Sequence, residues 1–259
     1  MRPLVSIVML GLAMAVLPLH AQDIPAHDRL SGFEMMGADV QAMQRDDFSN
    51  PAMLSVREGE QLWSRAPAQG KKSCQGCHHD VATSMTGVAA RYPAFDAGSN
   101  RPIDLAGRIQ QCQTERQGVQ AAPRESALLL ALQALVALQS RGMPIAATAD
   151  PRLAAARERG QALFNQRFGQ LNLSCAQCHN QNWGKSLGGT RIPQGHPTGY
   201  PIFRMEWQAV GSLQRRLRNC LTGVRAEPFA PGSPELIEIE LYLMQRSAGM
   251  AMDAPAVRP

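Results

Sequence analysis

The chain has 259 residues, a formal net charge of +5 and only 5% aromatic residues, with 22 glycines and 18 prolines. Its basic residues are scattered and not interleaved with aromatic side chains, which argues against nucleic-acid binding and favours a small anionic substrate or an acidic protein partner. A chain with so few large rings needs another source of buried apolar area, and a bulky cofactor could supply it.

Residues 1–21 predict a secretory signal peptide. Arg2 is followed by an apolar run from Leu4 to Leu19 and by the small residue Ala21 at the expected cleavage site. The run is short for a membrane span, and no later segment has the roughly 18 uninterrupted apolar residues that a span needs. The alternative is an uncleaved N-terminal anchor. We expect an exported protein in a bacterial periplasm, with no membrane span after cleavage and with residues 22–50 as an N-terminal lead-in.

Two short motifs, CQGCH at residues 74–78 and CAQCH at residues 175–179, share the pattern CxxCH. This pattern is typical of c-type haem attachment, because two thiols one helical turn apart can each bond to a vinyl group while the adjacent histidine binds the iron. The alternatives are a zinc site and a thioredoxin-like redox pair, but neither needs a histidine directly after both second cysteines. The predicted attachment residues are Cys74, Cys77, Cys175 and Cys178, and the predicted axial histidines are His78 and His179.

The sequence around the two motifs is duplicated. Gly59 belongs to a helical pattern fifteen residues before the first motif, and Gly160 stands at the same distance before the second. Closing apolar helices are predicted over 125–140 and 235–246. Each half therefore predicts a helix, CxxCH, a long loop, a short helix with arginine and cysteine, and a closing helix.

This order of elements resembles the cytochrome c fold, in which the terminal helices cross and haem fills the core. We therefore expect a mainly α protein of two tandem cytochrome c-like domains, each with covalently attached haem c. The first domain is predicted over 51–145 and the second, carrying the active haem, over 146–259. Residues 142–152 are predicted to form the linker between them.

Two cysteines remain outside the motifs. Cys112 lies 38 residues after Cys74, and Cys220 lies 45 residues after Cys175. The chain has thirteen methionines, the usual second ligand in this fold, but none occupies equivalent places in both halves. Because both halves place a cysteine at an equivalent position, we interpret Cys112 and Cys220 as thiolate ligands, one to each haem iron. A disulfide between Cys112 and Cys220 and a pair of small buried thiols are the alternatives.

Each of these cysteines has an arginine one helical turn earlier, Arg108 and Arg216. A cysteine near positive charge is largely thiolate at neutral pH. Thiolate donation lowers the reduction potential of haem iron relative to methionine ligation, which would be unusual for a simple electron carrier. The pattern thus favours chemistry on the sulfur itself.

The segment 216–229, RLRNCLTGVRAEPF, together with the signal peptide and the two CxxCH halves, resembles the SoxA family. These are dihaem cytochrome subunits of periplasmic SoxAX complexes of thiosulfate oxidation. The resemblance implies an L-cysteine S-thiosulfotransferase that couples thiosulfate oxidatively to a cysteine of the carrier protein SoxYZ. Electrons would leave through haem, with a SoxX-like cytochrome c subunit as the heterodimer partner.

The resemblance also assigns roles to residues. Cys220, modified to a cysteine persulfide, would be the reactive centre, and Arg216 would orient the substrate. Cys112 would be the distal ligand of the first haem. The implied axial ligands of the two irons are His78, Cys112, His179 and Cys220.

Thiosulfate is a dianion, so its coupling to a thiol needs positive charge near the reacting sulfur. Arg216 could make a bidentate contact to sulfonate oxygens. Arg218 and Arg225 are weaker candidates, and Arg108 is expected to be structural or to pair with a haem propionate. Two other functions remain open: a dihaem electron carrier with no substrate of its own, and a thiosulfate dehydrogenase that forms tetrathionate.

Overall fold

The computed structural model describes residues 23–146 and 150–259. The predicted signal peptide and part of the predicted linker lie outside these ranges. Within them, no helix combines the length and the apolar character needed to cross a bilayer.

The described residues are mainly helical, with short strands in the loops. The helices are α1 (Ala38–Arg45), α2 (Ala52–Ser64), α3 (Gln75–His78), α4 (Val81–Ser84), α5 (Leu105–Gln111), α6 (Ala127–Leu138), α7 (Ala154–Asn165), α8 (Cys175–His179), α9 (Leu213–Gly223) and α10 (Pro234–Arg246). The strands are β1 (Ala94–Asp96), β2 (Arg101–Ile103), β3 (Ser186–Leu187), β4 (Thr190–Arg191), β5 (Ile202–Arg204), β6 (Ala209–Gly211) and β7 (Ala256–Arg258). Single 3-10 turns lie at Ala26–Asp28, Ala89–Arg91 and Pro151–Leu153, and a π-helical turn spans Cys112–Arg116.

Each half is built on a close crossing of its first long helix with its closing helix. Helix α2 packs on α6, and α7 packs on α10. A glycine stands at each crossing: a methyl group added at Gly59 would lie 2.9 Å from Leu135 Cβ, and one added at Gly160 would lie 2.6 Å from the carbonyl carbon of Glu238. Both distances are below ordinary van der Waals contact, so only glycine lets the two backbones approach this closely. The duplicated glycines are therefore packing residues.

The core forms where these helices meet. Helix α6, whose sequence ALLLALQALVAL has a single polar residue, is buried over most of its length, as expected for a helix that is apolar on every side. One apolar cluster joins Val56 and Trp63 to Leu135, and it also takes in Met244 and Met252 from the second half. A second cluster surrounds Phe164 in the second half. The two halves thus share part of one core.

The long loops contain antiparallel hairpins that the sequence does not predict. Strand β1 pairs with β2 in the first half, and β5 pairs with β6 in the second. Each strand has three residues, too few to produce an alternating pattern of apolar and polar side chains. Strand β7, near the end of the chain, extends the second hairpin by pairing in parallel with β5.

A third hairpin, β3–β4, lies between the second CxxCH motif and β5. The corresponding interval of the first half holds α4. This hairpin falls where the second half is longer, since Cys220 follows Cys175 by 45 residues and Cys112 follows Cys74 by 38. Its side chains are exposed, with Leu187 at 71%.

Candidate functional site

The first CxxCH motif lies on α3, with Cys74 immediately before the helix. The helical turn brings Cys77 and His78 to the same end of α2, where the ring of His78 is 5.8 Å from that of Trp63. The indole Nε1 of Trp63 donates a hydrogen bond to the carbonyl of His79 at 3.0 Å, which holds the end of the motif against α2. His78 is exposed at this face of the protein.

The second motif is more firmly held. Ser174 caps α8 and forms a capping box with Gln177, so that four backbone and side-chain groups are satisfied at its start. The Nδ1 atom of His179 lies 2.6 Å from the carbonyl oxygen of Pro193. Because a carbonyl can only accept, Nδ1 carries the proton and Nε2 is left free to bind a metal. Gly195, at φ +80°, lies against the ring, where an added methyl group would meet His179 Cγ at 3.1 Å.

Burial also sets the protonation of His179. It lowers the pKa of this imidazole to about 4, and the nearby cations Arg246 and Arg216 act in the same direction. The ring is therefore neutral at physiological pH, which is the form that binds iron. The donor atom and its protonation state both fit an axial ligand.

Each remaining cysteine lies beside the motif of its own half. Burial raises the pKa of Cys74 to about 11, and the next contribution comes from the neighbouring Cys112. Burial likewise raises the pKa of Cys175 to about 12, with Cys220 as the next contribution, and Cys220 also raises the pKa of Cys178. The six cysteines are free thiols. The predicted disulfide alternative between Cys112 and Cys220 is therefore not formed.

These residues fit haem c. In each half the first motif cysteine packs at the border of the apolar cluster, Cys74 at the first and Cys175 at the second, so a porphyrin attached there would adjoin buried hydrocarbon. In the second half the imidazole is fixed and neutral, with a free Nε2. Within residues 23–146 and 150–259, no three or more His, Cys, Asp or Glu side chains are grouped closely enough to hold a metal ion.

The predicted substrate residue Arg216 lies on α9, one turn before Cys220. Within the described ranges, no hydrogen bond or ion pair engages its guanidinium group. Tyr200 lies beside both residues: burial raises its pKa to about 12, Arg216 opposes this rise and Cys220 adds to it. The second half thus brings a cysteine, a tyrosine and a cation without an acidic partner to one place.

The other arginines singled out from the sequence have protein partners or peripheral positions. Arg108 forms an ion pair with Asp96 at 3.0 Å, as expected of a structural residue. Arg218 donates from Nε to the carbonyl of Phe229 at 3.0 Å. Arg225 lies beyond the end of α9 at φ +60°. Among the described residues, no hydrogen bond or ion pair joins the side chain of either of the latter two to Cys220.

Comparison with known proteins identifies the family to which both halves of this chain are similar. A model of the SoxA/TsdA cytochrome c domain family matches residues 58–145 and 159–252. The L-cysteine S-thiosulfotransferase subunit SoxA of Pseudaminobacter salicylatoxidans is 35% identical over 235 residues, which are 90% of this chain and 82% of that protein. This chain belongs to the SoxA family.

Other members of the SoxA family match over the same extent. The SoxA subunit of Rhodovulum sulfidophilum is 34% identical over 240 residues, covering 90% of this chain and 84% of that protein. The crystal structure of SoxXA from P. pantotrophus superposes with a TM-score of 0.86 at 32% identity, covering 89% of this chain and 87% of that chain. The prediction of a mainly α protein with two tandem cytochrome c-like domains is confirmed. The family match falls within the predicted ranges 51–145 and 146–259, whose limits remain predictions.

Sequence reasoning missed two residues that the structure brings close to Arg216, namely Tyr200 and Arg204. Burial lowers the pKa of Arg204, and the next contribution is the charge of Arg216, so the two guanidinium groups are neighbours. The sequence did contain a hint of this duplication. The similar segments YPAFD at 92–96 and YPIFR at 200–204 lie at the same distance before Cys112 and Cys220. Without the hairpins, nothing in those segments indicates that they approach the cysteines.

Proposed function

We propose that this chain is the haem-bearing subunit of an L-cysteine S-thiosulfotransferase, with Cys220 as its reactive sulfur. The observation that carries the proposal is the pairing of Cys220, beside the second CxxCH motif, with Arg216, whose charge no acidic side chain compensates within the described ranges. An uncompensated cation beside a reactive sulfur suits an enzyme that binds an anionic substrate. A substrate dianion would supply the missing negative charge.

The residues divide the work in a definite way. Arg216 holds the sulfonate group of thiosulfate, so that the outer sulfur atom faces Sγ of Cys220 or a persulfide sulfur attached to it. Loss of two electrons joins the two sulfur atoms. The thiolate of the carrier cysteine then attacks the sulfane sulfur of thiosulfate, and the Cys220 sulfur departs as an anion. The haem groups, when bound, would accept the two electrons, one at each iron.

The residues proposed to hold haem follow from the site geometry. Cys74 and Cys77 would attach one haem and Cys175 and Cys178 the other. The axial ligands would be His78 with Cys112 in the first half, and His179 with Cys220 in the second. The support comes from the two free cysteines, each beside its own motif, and from the neutral, oriented imidazole of His179.

The partners and the location belong to the same proposal. The P. pantotrophus structure is a SoxXA complex, which supports a SoxX-like cytochrome c as the heterodimer partner of this chain. The thiosulfate acceptor would be a cysteine of a SoxYZ-type carrier protein. Both steps would occur in the periplasm after removal of residues 1–21, a prediction that the mass of the mature protein tests directly.

The decisive experiment replaces the reactive sulfur while leaving both attachment motifs intact. Intact mass spectrometry of the wild-type protein should show two haems and an added sulfur atom on Cys220. The variant Cys220→Met should keep both haems but lose turnover of thiosulfate with the carrier protein. Cys112→Met is the matched comparison and should alter the absorption spectrum of the first haem. Two results would contradict the assignment of Cys220 as the reactive sulfur. One is full turnover by Cys220→Met, and the other is a complete loss of turnover in Cys112→Met while Cys220→Met remains active.

A further inference from the structure

The two haem halves differ by a charge reversal on equivalent hairpins. Asp96 is the last residue of β1 and pairs with Arg101 across its hairpin, whereas Arg204 is the last residue of β5 and pairs with Ala209. Each stands twelve residues before the arginine that precedes the half's free cysteine, Arg108 or Arg216. Where the first half has a carboxylate, the second therefore has a guanidinium group.

In the first half this arrangement neutralises the cation. The carboxylate of Asp96, only 6% exposed, lies 3.0 Å from Nη1 of Arg108. Asp96 also accepts hydrogen bonds from the backbone and hydroxyl of Ser99, at 2.9 and 2.7 Å. The first half thus leaves no positive charge free near Cys112 from this pair.

In the second half the same geometry places two cations together. The side chain of Arg204 is 11% exposed, and its charge is repelled by that of Arg216. Its Nε atom is buried and has no hydrogen-bond partner within residues 23–146 and 150–259. One ion pair, with Glu206 at 2.7 Å, offsets its charge, but the Glu206 side chain is 60% exposed. The ring of Trp207, 5.4 Å from the guanidinium carbon, covers it from another side.

Arg204 and Arg216 are neighbouring guanidinium groups, and the carboxylate of Glu206, which pairs with Arg204, is largely solvated. The cluster therefore carries uncompensated positive charge. Bringing like charges together in a partly desolvated place is unfavourable unless a ligand of opposite charge binds there. A sulfonate group has three oxygen atoms, enough to accept hydrogen bonds from both guanidinium groups at once. Tyr200, whose pKa is influenced by both arginines and by Cys220, lies close to all three and would line the site.

We propose that Arg204 is a second substrate-binding residue, which together with Arg216 holds the sulfonate of thiosulfate beside Cys220. This inference rests on the proposed function and adds to it a residue that positions the dianion from the hairpin β5–β6. It explains why the second half alone departs from the carboxylate at this position. Glu206 acts as the resting partner of Arg204 and yields to the substrate because it is mostly exposed.

The test measures thiosulfate affinity and turnover separately, on the haem-loaded protein purified with its SoxX-like partner. Isothermal titration with thiosulfate in the absence of the carrier gives the Kd, and steady-state turnover with the carrier gives KM and kcat. For Arg204→Gln we expect both Kd and KM for thiosulfate to rise roughly tenfold or more, as for one lost charge-assisted hydrogen bond. KM for the carrier protein should change far less. Arg204→Lys should recover part of the affinity, because it keeps the charge but not the fork of donors.

Two further variants separate binding from structure. Glu206→Gln removes the carboxylate that pairs with Arg204 and should bind thiosulfate at least as tightly as the wild type. Arg101→Gln removes an exposed cation from the hairpin of the first half and should leave both constants unchanged. If Arg204 served only to pair with Glu206, Arg204→Gln and Glu206→Gln would weaken binding equally, and the inference would be wrong. If the wild type turns over thiosulfate but Arg204→Gln keeps its Kd and KM, this inference fails alone; if the wild type has no turnover, the proposed function fails.

Discussion

Replacing Gly160 by alanine tests the helix crossing on which the second haem half is built. Intrinsic propensity by itself predicts a gain, since alanine is about 1 kcal/mol better than glycine inside a helix. The crossing predicts a loss, because the added methyl group would overlap the carbonyl of Glu238 and lie 3.0 Å from Tyr242 Cβ. The two effects on stability have opposite signs. The sign of the measured change therefore shows whether helix propensity or packing at the crossing dominates at this position.

The size of the loss follows from these distances. Carbon atoms pack best about 3.5–4.0 Å apart, so α7 and α10 would have to separate by about 1 Å. Overpacking of this kind costs about 1–3 kcal/mol, and the upper end applies because the obstructing atoms belong to the backbone and cannot rotate away. After subtracting the gain in propensity, the net loss is about 2 kcal/mol, which lowers the midpoint of a chain of this size by about 4–8 °C.

The assay is thermal unfolding of the haem-loaded protein, followed by circular dichroism at a helical band. Gly59→Ala should lower the midpoint similarly, because the duplicated crossing has the same close approach. Gly189→Ala, in the turn between β3 and β4, is the control: nothing lies within 4 Å of the added methyl group. A midpoint for Gly160→Ala equal to or above that of the wild type would refute the packing argument.

Three other changes probe the remaining structure. Asp104→Asn removes the ion-pair partner of Arg124, which lines the cavity between the halves. In denaturant titrations it should lower the free energy of unfolding by about 3 kcal/mol. A loss below about 1 kcal/mol would show that the ion pair is dispensable. Burial, and then the charge of Asp104, raise the pKa of Glu240 from 4.5 to about 8. As pH rises, the Glu240 carboxyl ionises in the unfolded chain before it ionises in the folded one, so the free energy of unfolding should fall between pH 4.5 and 8. Glu240→Gln should reduce this pH dependence. An unchanged pH dependence in Glu240→Gln would contradict the raised pKa of Glu240. Gly195→Ala forces an alanine to φ +80° against His179 and should change the absorption spectrum of the second haem, whereas an identical spectrum would mean that the loop does not orient the ring.

The duplicated halves show how one scaffold can carry two different sites. Both halves have the crossing helices, the motif and the cysteine one turn after an arginine. The halves diverge in the hairpin, where Asp96 neutralises Arg108 but Arg204 repels Arg216. A single position of opposite charge thus distinguishes a structural arginine from one available to a ligand.

The sequence by itself determined the features that depend on covalent spacing or local periodicity. The motifs at 74–78 and 175–179 predict haem attachment because thiols and imidazole act through a fixed short spacing. The closing helices were predicted over 125–140 and 235–246 and occur at Ala127–Leu138 and Pro234–Arg246, since a run of apolar helix formers carries its own signal. The free cysteines, Cys112 and Cys220, could be assigned to separate halves because duplication preserves position.

Only the tertiary structure decided which residues meet. The three-residue strands carry no recognisable pattern, and their pairing depends on the chain returning to contact itself. In the sequence nothing distinguishes Arg204 from the other scattered basic residues. Only the folded hairpin places it close to Arg216. The strand β7 likewise joins β5, although 54 residues separate Val257 from its partner Phe203, a contact that local propensity cannot encode. Charge neutralisation depends on distances in space, and Arg108 and Arg216, which occupy equivalent positions in the two halves, differ in it because their folded neighbours differ.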